Sequence, residues 1–221
     1  MDLSVDAWRE AILFIIALVL SVGVHEFGHA WVASRLGDPL PAAQGRLTLN
    51  PLRHLDPIGT VLLPFMMVMA AGTPIGWGKP VQTNPSSYSR RWSRPTASLF
   101  VALSGPLMNL LMATLVSVII IAGAKAGFVQ ADLADGLIRY LVQLNLVLLF
   151  FNLLPIPPLD GGDLLAWVLP RSMQGVIEFL SRWGFFILIG LMLTGALSWL
   201  MGPAYAMIRL WVSVLRGAAG V

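Results

Sequence analysis

His25, Glu26 and His29 stand in the run HEFGH, directly after the uncharged stretch AILFIIALVLSVGV at 11–24. On an α-helix, positions i and i+4 lie on one face about 6 Å apart along the axis. His25 and His29 can therefore point at one divalent ion. Glu26 lies about 100° round from His25, close enough to hold a water beside that ion. Two imidazoles with a neighbouring carboxylate at this spacing suit metal-assisted hydrolysis. Ionisable groups in hydrocarbon are costly and usually have partners and a function.

The rest of the chain must bring such groups together. It has 221 residues, 57% hydrophobic and 11% charged, where a soluble domain has about 25% charged. Mean hydropathy is +0.79. These values predict an all-α polytopic membrane protein with little soluble mass. The pI of 9.8 does not imply nucleic acid, because the excess is three charges and the basic residues cluster in loops. There is no cysteine, which excludes disulfides, thiolate zinc sites and a thiol nucleophile. The acidic start MDLSVDAWRE and the lack of a small-residue cleavage site argue against a cleavable signal.

Four apolar stretches, about 8–34, 96–123, 136–154 and 183–201, are each long enough to cross a bilayer. Two shorter ones are 59–72 and 203–215. Within the loop 36–59, QGRLTLN is expected to form a short strand or hairpin arm. The loops 35–57, 73–95 and 155–182 hold Arg35, Arg46, Arg53, Lys79, Arg90, Arg91, Arg94, Arg171 and Arg182. The N-terminal tail and 124–135 hold Arg9 and Lys125. The positive-inside rule makes the first group cytoplasmic and the second external. Both flanks of 59–72 are then cytoplasmic. Its shortness and Pro64 suit a re-entrant segment rather than a span. Arg209 suggests an interfacial place for 203–215. Trp77, Trp92, Trp183 and Trp199 read as interfacial anchors, and Asn109 as a bond between helices.

A catalytic zinc has three protein ligands and one open position. His54 and several acids could supply the third ligand. Asp160, in FNLLPIPPLDGGD, is the best placed, because the span order brings it to the same side as HEFGH. A lesser alternative is that Asp160 caps the helix after it, alone or in addition.

HEFGHAW, NPLRHLDPIGT, GWGKPV, ALSGPLMN and FNLLPIPPLDGG together resemble the site-2 protease family of intramembrane zinc metalloproteases. The resemblance covers about residues 20–165. It implies one zinc per chain held by His25, His29 and Asp160, with Glu26 as general acid/base. It implies a three-span catalytic core, here 8–34, 96–123 and 136–154, plus a C-terminal span. The chain has no room for a PDZ or CBS domain, as in the compact branch. A single membrane protease domain is expected over 1–221, its core about 8–165 and its C-terminal helices about 172–217. The expected partners are a transmembrane protein or peptide substrate and the lipid bilayer, in a prokaryotic plasma membrane with the site toward the cytoplasm. His54 would act near substrate or the oxyanion, or hydrogen-bond within its loop. Asn152 would orient substrate and oxyanion, or satisfy carbonyls freed by Pro155. The competing function is a zinc-binding membrane protein without catalysis, a transporter or pseudoprotease. Glu26 weighs against it, since a ligand-only site has no need of that carboxylate.

Overall fold

The computed structural model describes residues 5–69 and 76–220. Helix α1 runs Val5–Arg35, with Asp6 in its first turn and Arg35 in its last, both favourable to the helix dipole. It closes in a Schellman turn. Gly37, at φ 102, lets the Asp38 amide reach back to Ala33 O at 3.0 Å. The four-residue α2, Leu40–Ala43, follows.

Among the described residues there is no strand, which corrects the expected hairpin in QGRLTLN. The cause is visible in the hydrogen bonds. Arg46 is buried and donates to the carbonyls of Arg53 and Lys79. His54 Nε2 donates to Thr48 O at 3.0 Å. Side chains thus take carbonyls that a hairpin ladder would have used.

Pro57–Leu62 form a π-type turn leading into α3, Leu63–Met69. This element packs along α1, and its Phe65 ring meets Trp8 at 5.2 Å. The expected return through 70–72 lies outside the described residues. The two sides of the excursion are nonetheless joined. Trp77 N donates to Gly59 O at 3.1 Å, and Lys79 N to His54 O at 2.9 Å.

Helix α4 spans Arg94–Lys125. Ser93 caps it through Thr96 N at 3.3 Å. Helices α1 and α4 cross closely at Gly28, where an added Cβ would lie 2.7 Å from Ser104 O. The third span is α5 (Ala131–Leu137), a π-type turn (Ile138–Gln143) and α6 (Leu144–Asn152). Ala113, Val116 and Ile120 of α4 form the main core with Ile138, Val142 and Leu146.

After the bend at 153–160 come α7 (Gly161–Val168) and α8 (Gln174–Leu193). The fourth span therefore lies at 174–193, not at 183–201. Gly195, at φ 75, breaks the chain before the short α9, Ala196–Leu200. The charged Glu178 and Arg182 sit on α8 itself, lining a cavity of about 910 Å³ shared with Arg94 and Asp163. Apolar averaging missed this start because it placed those charges in a loop. Helix α10, Gly202–Ala219, buries Ile208 and Leu215 in the core. Trp211 Nε1 donates to Ser117 Oγ at 3.1 Å.

Among the described residues, four helices are long and apolar enough to cross a membrane: Trp8–Arg35, Arg94–Lys125, Ala131–Asn152 and Gln174–Leu193.

Candidate metal centre

His25 and His29 share one face of α1, with their Nε2 atoms 3.0 Å apart. Asp160 reaches them from the bend after α6. Its Oδ2 lies 3.3 Å from His25 Nε2, and its Oδ1 lies 3.3 Å from His29 Nε2. These three residues are the one group of metal-ligating side chains found converging among the described residues.

The bend that delivers Asp160 needs the two glycines after it. A Cβ on Gly162 would lie 2.8 Å from Pro157 Cγ, and one on Gly161 would strike the Leu153 and Leu154 carbonyls. Asp160 makes no side-chain cap bond to α7, so its carboxylate is free for the histidines. One turn on, partial burial and then the Asp160 charge push the Asp163 carboxyl above its ordinary value.

The hydrogen bonds fix how the imidazoles are protonated. His29 Nδ1 lies 2.7 Å from Val101 O, and a carbonyl only accepts, so Nδ1 carries the proton. His25 Nδ1 lies 2.7 Å from Asn109 Oδ1. With both rings neutral, as metal ligation requires, their Nε2 atoms carry lone pairs aimed at a carboxylate. Asp160 Oδ2 is buried without a hydrogen-bond partner among the described residues. Such convergence without a shared donor is repulsive unless a cation sits among the groups. A nitrogen–nitrogen–carboxylate donor set suits zinc. Gly105 of α4 backs the cluster. A Cβ there would overlap His29 Nε2 and lie 2.6 Å from His25 Cε1. The residues present therefore fit a zinc ion.

Glu26 lies beside this group but is not part of it. Its Oε2 accepts the Val81 amide at 2.8 Å. His54 is fully buried, its Nδ1 without a partner among the described residues. It organises the loop beneath the 77–81 strap rather than joining the histidines. Asn152 donates to Leu148 O in its own helix at 2.9 Å. Three residues escaped the sequence reading of the site: Ser21, Gly105 and Asn145. An asparagine inside the apolar run LVQLNLVLL was the available signal for Asn145, since polar groups at that depth need partners.

An integral membrane protein with a histidine–histidine–carboxylate centre between its first and third spans is the class this geometry defines. The profile of Peptidase family M50 matches residues 13–135 and 125–191, and the chain belongs to that family, the family of the site-2 proteases. It is 35% identical over 194 residues to "Putative zinc metalloprotease YwhC" of Bacillus subtilis, covering 86% of this chain and 84% of that one. It is 34% identical to "Putative zinc metalloprotease Rip2" of Mycolicibacterium smegmatis over 191 residues, 85% of this chain and 69% of the relative. The protein of the same name in Mycobacterium tuberculosis is 33% identical over 212 residues, 94% of this chain and 75% of the relative. No solved structure matches the chain. The chain is accordingly assigned as a metalloprotease of the membrane.

Proposed function

We propose that this protein is an intramembrane zinc endopeptidase that hydrolyses peptide bonds within or near transmembrane segments of other proteins. One zinc per chain is held by His25, His29 and Asp160. The observation that carries this reading is the convergence of three lone-pair donors, one carboxylate oxygen of which has no partner, beside a glutamate on the same helix.

When bound, the ion supplies a Lewis acid that polarises a peptide carbonyl and acidifies a water. Glu26 takes the proton of the attacking water and delivers it to the leaving amine. The Val81 amide holds Oε2 of Glu26, which leaves Oε1 to face the proton. Val101 O and Asn109 Oδ1 keep the imidazole rings turned with Nε2 toward the centre.

A peptide bond inside a transmembrane helix is shielded and must be unwound before attack. The strap at 77–81 offers a surface for the unwound chain. Trp77, Lys79 and Val81 turn their amides inward, to Gly59 O, His54 O and Glu26. In an extended chain the alternate residues face the opposite edge. Gly78, Pro80 and Gln82 then present the edge on which a substrate strand can pair. His54 acts through this strap, since its carbonyl anchors Lys79. A direct role for Asn152 at the oxyanion requires its amide to leave Leu148 O.

By the positive-inside rule the basic loops support a centre toward the cytoplasmic side, and the membrane proposed is a prokaryotic plasma membrane. Cells carrying wild type and Glu26→Gln are compared for fragments of tagged membrane proteins. The variant retains zinc and accumulates uncleaved clients, because its amide cannot accept the proton. Loss of this carboxylate slows turnover by about 10²–10⁴-fold. Cleavage at wild-type rate by the variant would remove Glu26 from the mechanism.

A further inference from the structure

Behind the ligand histidines lies a polar chain of which the hydrolytic reading uses only the last link, from Asn109 to His25. Ser21, Asn109 and Asn145 are each fully buried, and they come from three different spans. Asn145 Nδ2 donates to Leu141 O and to Ser21 Oγ, both at 2.8 Å. Asn109 Nδ2 donates to Ser21 O at 3.2 Å and to Asn145 Oδ1 at 2.8 Å. Asn109 Oδ1 meets His25 Nδ1 at 2.7 Å.

The chain has one consistent direction. Leu141 O and Ser21 O are backbone carbonyls and accept only. Asn145 must therefore turn its amide nitrogen to Leu141, which leaves its oxygen toward Asn109. Asn109 must turn its nitrogen to Ser21 O and to that oxygen. Its own oxygen is then fixed on His25, and only a protonated Nδ1 can answer it. Reversing either amide would set oxygen against oxygen in a site without water contact. Such a reversal strands buried polar groups without partners, which is strongly disfavoured.

We propose that Asn109 and Asn145 are positioning residues that set zinc affinity. Together with Ser21 they lock His25 with its proton on Nδ1 and its lone pair on Nε2. The relay starts at the π-type turn of the third span, the span that also delivers Asp160. Neither residue touches the metal or the substrate. A loose imidazole would have two tautomers and a free ring torsion, and binding would have to select one arrangement from these. The relay makes that selection in advance. Partners of this kind around a ligand histidine are worth about 10–100-fold in metal affinity. The proposal rests on His25, His29 and Asp160 being the zinc ligands.

The test uses the full chain in bilayers and reads zinc affinity by competition with a graded chelator. Asn109→Ala is expected to weaken binding by about tenfold or more, and Asn145→Ala by less, since it acts one link away. Asn109→Asp keeps an acceptor for Nδ1–H but loses the donations to Ser21 O and Asn145 Oδ1, so it is expected to bind zinc more tightly than Asn109→Ala and more weakly than wild type. A second readout separates positioning from general loosening. The chain has three histidines, so ¹⁵N-histidine labelling of the zinc-loaded protein gives few signals. The His25 Nδ1 proton should move upfield in Asn109→Ala and remain downfield in Asn109→Asp. Equal zinc loss in Asn109→Ala and Asn109→Asp, or an unchanged Nδ1 proton in Asn109→Ala, overturns the proposal. If Asn109→Ala does not fold, Asn145→Ala decides, and zinc affinity at the wild-type level in that variant contradicts the relay. Wild type that binds zinc while all three variants match it sinks the relay alone. Wild type without stoichiometric zinc sinks the ligand reading and the relay with it.

Discussion

At the scale of single residues, the centre is defined by what each side chain is prevented from doing. His25 and His29 cannot point Nδ1 inward, because Asn109 and Val101 occupy it. Asp160 does not cap α7. Gly105 leaves the room that a metal requires, since even a single Cβ would overlap His29 Nε2. Gly105→Val should therefore lower zinc content while the helical circular dichroism stays at the wild-type level. Full zinc occupancy in that variant would show that Gly105 does not bound the site. Of the proposed ligands, His25 and His29 were legible in the local spacing of HEFGH, and Asp160 through the resemblance that LDGG carries. The contact between Glu26 and the Val81 amide was not, because it joins residues far apart in sequence with no side-chain signature at Val81. Asn109 was visible as a polar group in a span. Its direction toward His25 became apparent only with Asn145 and Ser21 in place.

At the scale of elements, the close crossing of α1 and α4 does the most to position the histidines. Gly28 lies one residue before His29, against Ser104 O and Met108. Gly28→Leu would drive the two helices apart and move the ligand face of α1. Overpacking of this kind costs about 1–3 kcal/mol. Thermal unfolding of purified protein should show a lower midpoint together with weaker zinc retention. A variant with wild-type midpoint and zinc would mean the crossing is looser than described. The first three spans were legible because each is a nearly charge-free run bounded by loops. The fourth was misplaced because Glu178 and Arg182 belong to the helix and face a cavity shared with Arg94 and Asp163, which hydropathy alone cannot distinguish from a loop. The hairpin expected at QGRLTLN failed for a different reason. Alternation of apolar and polar residues measures a strand's faces, not whether its carbonyls are free, and His54 had taken that of Thr48 while Arg46 turned inward to the carbonyls of Arg53 and Lys79.

At the scale of the whole molecule, the account depends on both flanks of 59–72 lying on one membrane face. The bonds from Trp77 to Gly59 and from Lys79 to His54 hold them together. Single cysteines can be introduced cleanly, because the chain has none. Cysteines at Gly45 and Ser86 should react with an impermeant thiol reagent from the cytoplasmic side only, and a cysteine at Ala131 from outside only. Labelling of Gly45 and Ser86 from opposite faces would make the excursion a true span.

The claim on which everything else rests is that His25, His29 and Asp160 hold one zinc. Metal analysis of the purified protein tests it most directly. Wild type, Glu26→Gln and His54→Ala should each carry about one equivalent, and Asp160→Ala should lose most of it. Zinc retained in Asp160→Ala but lost in His54→Ala would contradict the account.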